Sequence, residues 1–167
     1  MIIMTQRDYF SYLIGYHITM QRRIWKSIDQ ITDDQFLADI DYSIGSIRNH
    51  VVHLAGVEER WLARMKGIPV PPVPAYTDFM TRESAFQRWE PISLALQSYI
   101  DSLSPDLLDV VIEFDMPNRG GLRTSTRARI LTQIINHGTD HRAQILPILK
   151  RFNAPTFEQD YILYTWE

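Results

Sequence analysis

Four long stretches of the chain repeat apolar side chains at helical spacing, and capping residues, Gly and Pro mark their ends. In the first, Thr5 and Asp8 form an N-cap pair, and the stripe Phe10, Leu13, His17, Met20, Ile24 and Ile28 predicts a helix to about Ile28. Thr32 and Gln35 form a capping box that predicts a short helix. A second long helix is expected from Ser43 or Ser46 to Lys66, closed by Gly67 and Pro69. Its apolar face takes in Ile47, Leu54, Val57, Trp61 and Met65, with His50 and His53 toward one edge. The third runs from about Thr81 to Leu103 on Phe86, Trp89, Ile92, Leu96, Tyr99 and Leu103, with Pro91 kinking or restarting it. Ser104 and Pro105 predict another short helix, and Val110–Asp115 and Leu122–Thr126 a small β-hairpin. The fourth long helix covers about Thr126 to Lys150, with Pro147 disturbing its last turns. Tyr161, Leu163 and Trp166 of the aromatic tail are expected to pack back on the helices.

The stretch from Gly67 to Met80 holds Pro69, Pro71, Pro72 and Pro74 and should stay extended. At about 3.1 Å per residue it spans roughly 40 Å, whereas a helix of some 24 residues is about 36 Å long. A connection that runs the length of the bundle lets the second and third helices lie parallel. The predicted fold is therefore an all-α four-helix bundle, up-down-down-up, with a small β-hairpin between helices 3 and 4, as one domain over residues 1–167. A faint repeat, Ser27–Asp34 against Tyr99–Asp106, suggests two helix pairs related by a pseudo-two-fold.

Chemistry enters with the histidines. His137 and His141 are four residues apart, so a helix shows both on nearly one face, shared with Ile130, Ile134, Gln144, Ile145 and Ile148. Each neutral imidazole carries one donor and one acceptor that must find partners inside a protein. Alone, the pair reads equally well as satisfied core histidines or as metal ligands. All five histidines fall on three of the four long helices, however, and none falls in a loop. His137, His141 and one histidine of the second helix make a three-nitrogen set that leaves an open position on a metal. Glu58 is set about 140° round the helix from His53, too far to share its ion. No Glu-x-x-His occurs, which removes the di-iron carboxylate reading.

Composition narrows the possibilities. There is no cysteine, so disulfides, thiolate metal sites and a cysteine nucleophile are excluded, and a tight transition-metal site must use His, Asp or Glu. A formal charge of -3, with only short basic patches at Gln21–Arg23 and Arg123–Arg129, argues against nucleic acid as a partner. Met1–Thr5 lacks a basic leader, and no apolar run is long enough to cross a bilayer, so no membrane association and a cytoplasmic location are expected.

The segments Ser46-Ile47-Arg48-Asn49-His50-Val51-Val52-His53-Leu54-Ala55-Gly56-Val57-Glu58 and Asn136-His137-Gly138-Thr139-Asp140-His141-Arg142-Ala143-Gln144-Ile145 resemble two motifs of the DinB/YfiT-like family. The first is similar to S-I-x(5)-H-L-x-x-x-E and the second to H-x-x-x-H-R-G-Q, with Ala143 in place of the usual Gly. The resemblance covers nearly the whole chain. It implies metal ligands at His53, His137 and His141, a divalent ion such as zinc or nickel, and a homodimer. It also implies chemistry on an unidentified small-molecule substrate, by thiol-dependent transferases or isomerases that use a low-molecular-weight thiol, or by hydrolases. The competing expectation is a non-catalytic, stress-response protein in which the ion is structural or sensory. Gln144 and Asp140 are candidates to orient an imidazole, His17 reads as a core histidine, His50 as an edge histidine, and Arg142 as a surface or salt-bridging residue.

Overall fold

The protein is described here by a computed structural model covering residues 4–166. Met1–Ile3 and Glu167, the ends of the expected domain, lie outside the described residues. Its elements are α1 (Gln6–Ile28), α2 (Asp33–Leu37), α3 (Ile47–Lys66), α4 (Arg82–Ser102), the strands β1 (Val111–Met116) and β2 (Gly121–Thr126), α5 (Arg127–Arg151) and the single turn α6 (Tyr161–Tyr164). Thr5, Thr32 and Thr81 form capping boxes with Asp8, Gln35 and Ser84, and Ser46 and Thr126 cap α3 and α5. These side chains satisfy amide groups that have no partner inside the first turn. Gly67, at φ 66°, closes α3 in the left-handed conformation that favours glycine.

Contacts between helices fix their directions. Ser11 of α1 bonds Asp101 at the far end of α4, while Arg82, at the start of α4, reaches Ile28 and Asp29 where α1 ends, so these two are antiparallel. Arg88 pairs with Glu59, and Tyr99 Oη donates to the Met65 carbonyl at 3.0 Å, which makes α3 and α4 parallel. His50 meets His141 and His53 meets His137, so α3 and α5 are antiparallel. The four long helices are therefore up, down, down, up. The proline stretch makes the parallel pair possible by running back along α3: Arg60 donates to the Pro71 carbonyl at 2.8 Å, and Pro74 lies against Gly56 so closely that a Cβ there would approach its Cδ to 2.8 Å.

The hairpin pairs β1 with β2 in the register Val111 with Thr126 through Met116 with Gly121. Residues of one face alternate, and Ile112 and Phe114 turn that face to the bundle core. Around the core, Ile14, Ile24 and Ile28 of α1 pack with Ile47 and Val51 of α3, Trp89 and Leu96 of α4, and Leu131, Ile134 and Ile145 of α5.

Several details differ from the sequence reading. Pro91 and Pro147 each sit inside a continuous helix. On α3 the buried stripe is Ile47, Val51, Leu54, Glu58, Leu62 and Met65, with Val57 and Trp61 only half-buried at its side. The helix is thus turned to bring a carboxylate inward. The repeat is also imperfect: Thr32 opens an α-helix, but Ser104 and Pro105 open only a 3-10 turn, Pro105–Leu108. In the tail, Tyr161 packs edge-on against Tyr12 and Tyr16, while Trp166 is 73% exposed and does not pack back.

Candidate metal centre

The antiparallel contact of α3 and α5 places four of the five histidines in one cluster. His53, His137 and His141 each offer a nitrogen within 4.8 Å of the others, a grouping that can hold a metal ion. The His53 and His137 Nε2 atoms are 3.3 Å apart. That is the edge of a tetrahedron whose arms are about 2.0–2.1 Å, the usual zinc–imidazole distance. Two bare lone pairs at this separation repel unless a proton or a cation lies between them. The cluster is graded in depth: His141 is buried, whereas His53 and His137 are half-buried and open toward solvent.

His50 is the fourth imidazole and is fully buried, not an edge residue. Its Nδ1 faces the Nδ1 of His141 at 2.9 Å, leaving Nε2 as the free ligand atom of His141. An imidazole that binds a metal through Nε2 keeps its proton on Nδ1. In that state His141 donates to His50, and the His50 proton sits on Nε2, which has no hydrogen-bond partner among the described residues. Sequence spacing alone had no means of separating His50 from His53; the partner imidazole across the interface does so.

Burial pushes all four rings below the usual imidazole range. His141 falls to about 3 and His50 to about 4, with burial the main cause and neighbouring imidazoles adding to it. His53 is lowered by burial and by His137. His137 is lowered by burial, against the opposing pull of Glu58 and Asp140. The four are therefore neutral at physiological pH, the form that ligates metals.

A second buried network backs the cluster. His17 of α1 crosses the bundle to Glu58 of α3, Nε2 to Oε1 at 2.9 Å, and Arg142 Nη1 lies 3.1 Å from the His17 Nδ1. A guanidinium only donates, so Nδ1 accepts and the His17 Nε2–H donates to Glu58. Arg142 is fully buried rather than at the surface, and it also donates to Gln159 at 2.7 Å and to Thr139 at 3.0 Å. Burial pushes its guanidinium down to about 10, so it remains charged at neutral pH. The network fits because residue 138 is glycine: a Cβ there would come within 2.2 Å of the His17 ring.

His50 and Arg142 are the residues that sequence reasoning placed wrongly, and the burial of Glu58 went unread. The signal for Glu58 was present, since the spacing Ile47, Val51, Leu54, Leu62 and Met65 runs through position 58. Of the proposed imidazole-orienting residues, Asp140 is exposed, makes no side-chain hydrogen bond among the described residues, and acts on the cluster through its charge. Gln144 instead accepts a hydrogen bond from Ser43. Ala143, in place of the usual Gly, is exposed.

An up-down-down-up bundle with imidazoles gathered from two antiparallel helices defines a histidine-centred helical-bundle protein. The chain belongs to the DinB family, whose model matches residues 4–167. It is 22% identical over 162 residues to Protein DinB of Bacillus subtilis, covering 94% of each chain. The crystal structure of a DinB-like protein from Bacillus cereus shares the fold, with a TM-score of 0.68 and 16% identity over 94% of this chain and 100% of that one.

Proposed function

We propose that His53, His137 and His141 bind one divalent metal ion, zinc or nickel, and that the protein is a metal-dependent enzyme acting on a small molecule. The supporting observation is the convergence of three imidazole nitrogens within 4.8 Å, two of them on half-exposed rings. A divalent ion there supplies Lewis acidity to an oxygen or sulfur ligand at its open position. The chain's own contribution is to keep the ligand rings neutral by burial, and to orient His141 through His50. His17, Glu58 and Arg142 brace α1, α3 and α5 around the cluster.

A purely structural ion favours a closed set of four protein ligands. The histidine that could complete such a set is His50, and its Nδ1 is turned to His141 instead. The open position favours catalysis over the structural or sensory alternative, and suits thiol-dependent transfer or isomerisation as well as hydrolysis. A low-molecular-weight thiol as co-substrate, a homodimer and a cytoplasmic location belong to the same proposal; among the described residues no helix is long and apolar enough to cross a membrane. Substitution with cobalt(II) tests the open position. A visible spectrum that changes when a small thiol is added supports it, and one indifferent to every added ligand argues for a closed, structural ion.

A further inference from the structure

One to two helical turns from the histidine cluster, the hairpin and the α3–α5 groove line an open cleft of about 400 Å³. Its floor is apolar: Trp61 and Phe114 meet edge-to-face at 5.3 Å, and Met116 adjoins them. Its rim carries Arg119, Arg123 and Arg129, and none of the described residues lining it is acidic. Arg123 pairs with Phe114 and so shares its bundle-facing side, while Glu113 and Asp115 alternate onto the opposite face. Arg123 is held in place by donating to the carbonyls of Gly120 at 3.1 Å and Leu122 at 2.9 Å. The Arg119 and Arg129 side chains make no hydrogen bond or ion pair among the described residues, and the positive end of the α5 dipole adds to the field.

We propose that this cleft binds a small organic anion, a carboxylate- or phosphate-bearing molecule with an apolar body. The charged end lies on the three arginines and the body on Trp61 and Phe114. Helix spacing joins the cleft to the cluster. Gln133, on its wall, precedes His137 by one turn, and Trp61 follows His53 by two, so the two places are about 6–12 Å apart along one groove. That the ligand's far end is what the metal centre acts on rests on the metal reading above. Recognition of the anion needs no ion.

Calorimetric titration of chelator-treated full-length protein with 1-naphthylacetate, 1-naphthyl phosphate and the neutral 1-naphthylacetamide tests it. At least one anion should bind about tenfold or more tightly than the amide, and the tighter of the two identifies the end group. Arg119→Ala and Arg129→Ala should each weaken that anion about fivefold, with amide binding and melting temperature unchanged. Equal binding of amide and anions, or wild-type anion affinity in the double variant, overturns the proposal. Loss of anion binding from protein that still takes up metal removes this inference alone, whereas anion binding by protein that takes up no metal removes the metal reading alone.

Discussion

Gly138 lies between two of the three clustered imidazoles, and its replacement by alanine should reverse the usual effect of that change. In a helix interior, Gly→Ala ordinarily stabilises by about 1 kcal/mol. Here the added Cβ would lie 2.2 Å from the His17 Cε1, 2.6 Å from its Nδ1 and 2.9 Å from the Arg142 Nη1. His17 cannot simply swing aside, because it is buried and held between Glu58 and Arg142. Overpacking of this kind costs about 1–3 kcal/mol, and each buried polar group left without its partner about 1–3 more. Against a gain of about 1 kcal/mol, the net loss is about 1–5 kcal/mol, or a fall in melting temperature of about 2–20 °C for a chain of this size. Gly15→Ala is the control, since its Cβ would meet only the Tyr164 hydroxyl at 3.3 Å and the tip of Gln97 at 3.9 Å. Thermal unfolding followed by circular dichroism on chelator-treated protein should therefore show Gly138→Ala well below wild type and Gly15→Ala at or above it. A Gly138→Ala protein as stable as wild type would refute the reasoning.

Other outcomes follow from the same contacts. His50→Ala should weaken metal binding by about 10–100-fold without abolishing it, the usual cost of losing an orienting partner; titration with a competing chelator measures this, and unchanged affinity contradicts the role given to His50. Arg142→Met keeps much of the volume but leaves Glu58 without a compensating charge, so denaturant unfolding should show a loss of about 3–5 kcal/mol; a neutral result would mean that the guanidinium is dispensable. In metal-free protein the buried imidazoles titrate below their unfolded value near 6.5, so the unfolded chain binds more protons as the pH falls. Stability should be constant above about pH 7 and decline from about 6.5 toward the folded values of about 4 and 3 for His50 and His141. A melting temperature that stayed level from pH 7 to 5 would contradict that burial.

The bundle was legible because its determinants are local. Capping residues at Thr5, Thr32, Ser46, Thr81 and Thr126 mark helix starts, and the length of the proline stretch implies the parallel pair. The candidate ligands were legible only as a set, since four-residue spacing puts His137 and His141 together whatever they face. Glu58 and Arg142 were not, because burying a charge is unfavourable unless its partners are known. Those partners come from α1, far away in sequence, and from the space left by Gly138. His50 and His53 were distinguishable only by resemblance, because the preference depends on which α5 imidazole each one meets. Trp166 illustrates the opposite error: an aromatic residue in the tail does not pack back merely because the segment is aromatic-rich.

The central claim is tested most directly by metal analysis of protein purified without an affinity tag. Wild type should carry about one zinc or nickel per chain, and His53→Ala, His137→Ala and His141→Ala should each lose it while remaining folded. A wild-type protein that takes up no divalent ion, or a folded His53→Ala protein that retains one at full affinity, would contradict the account.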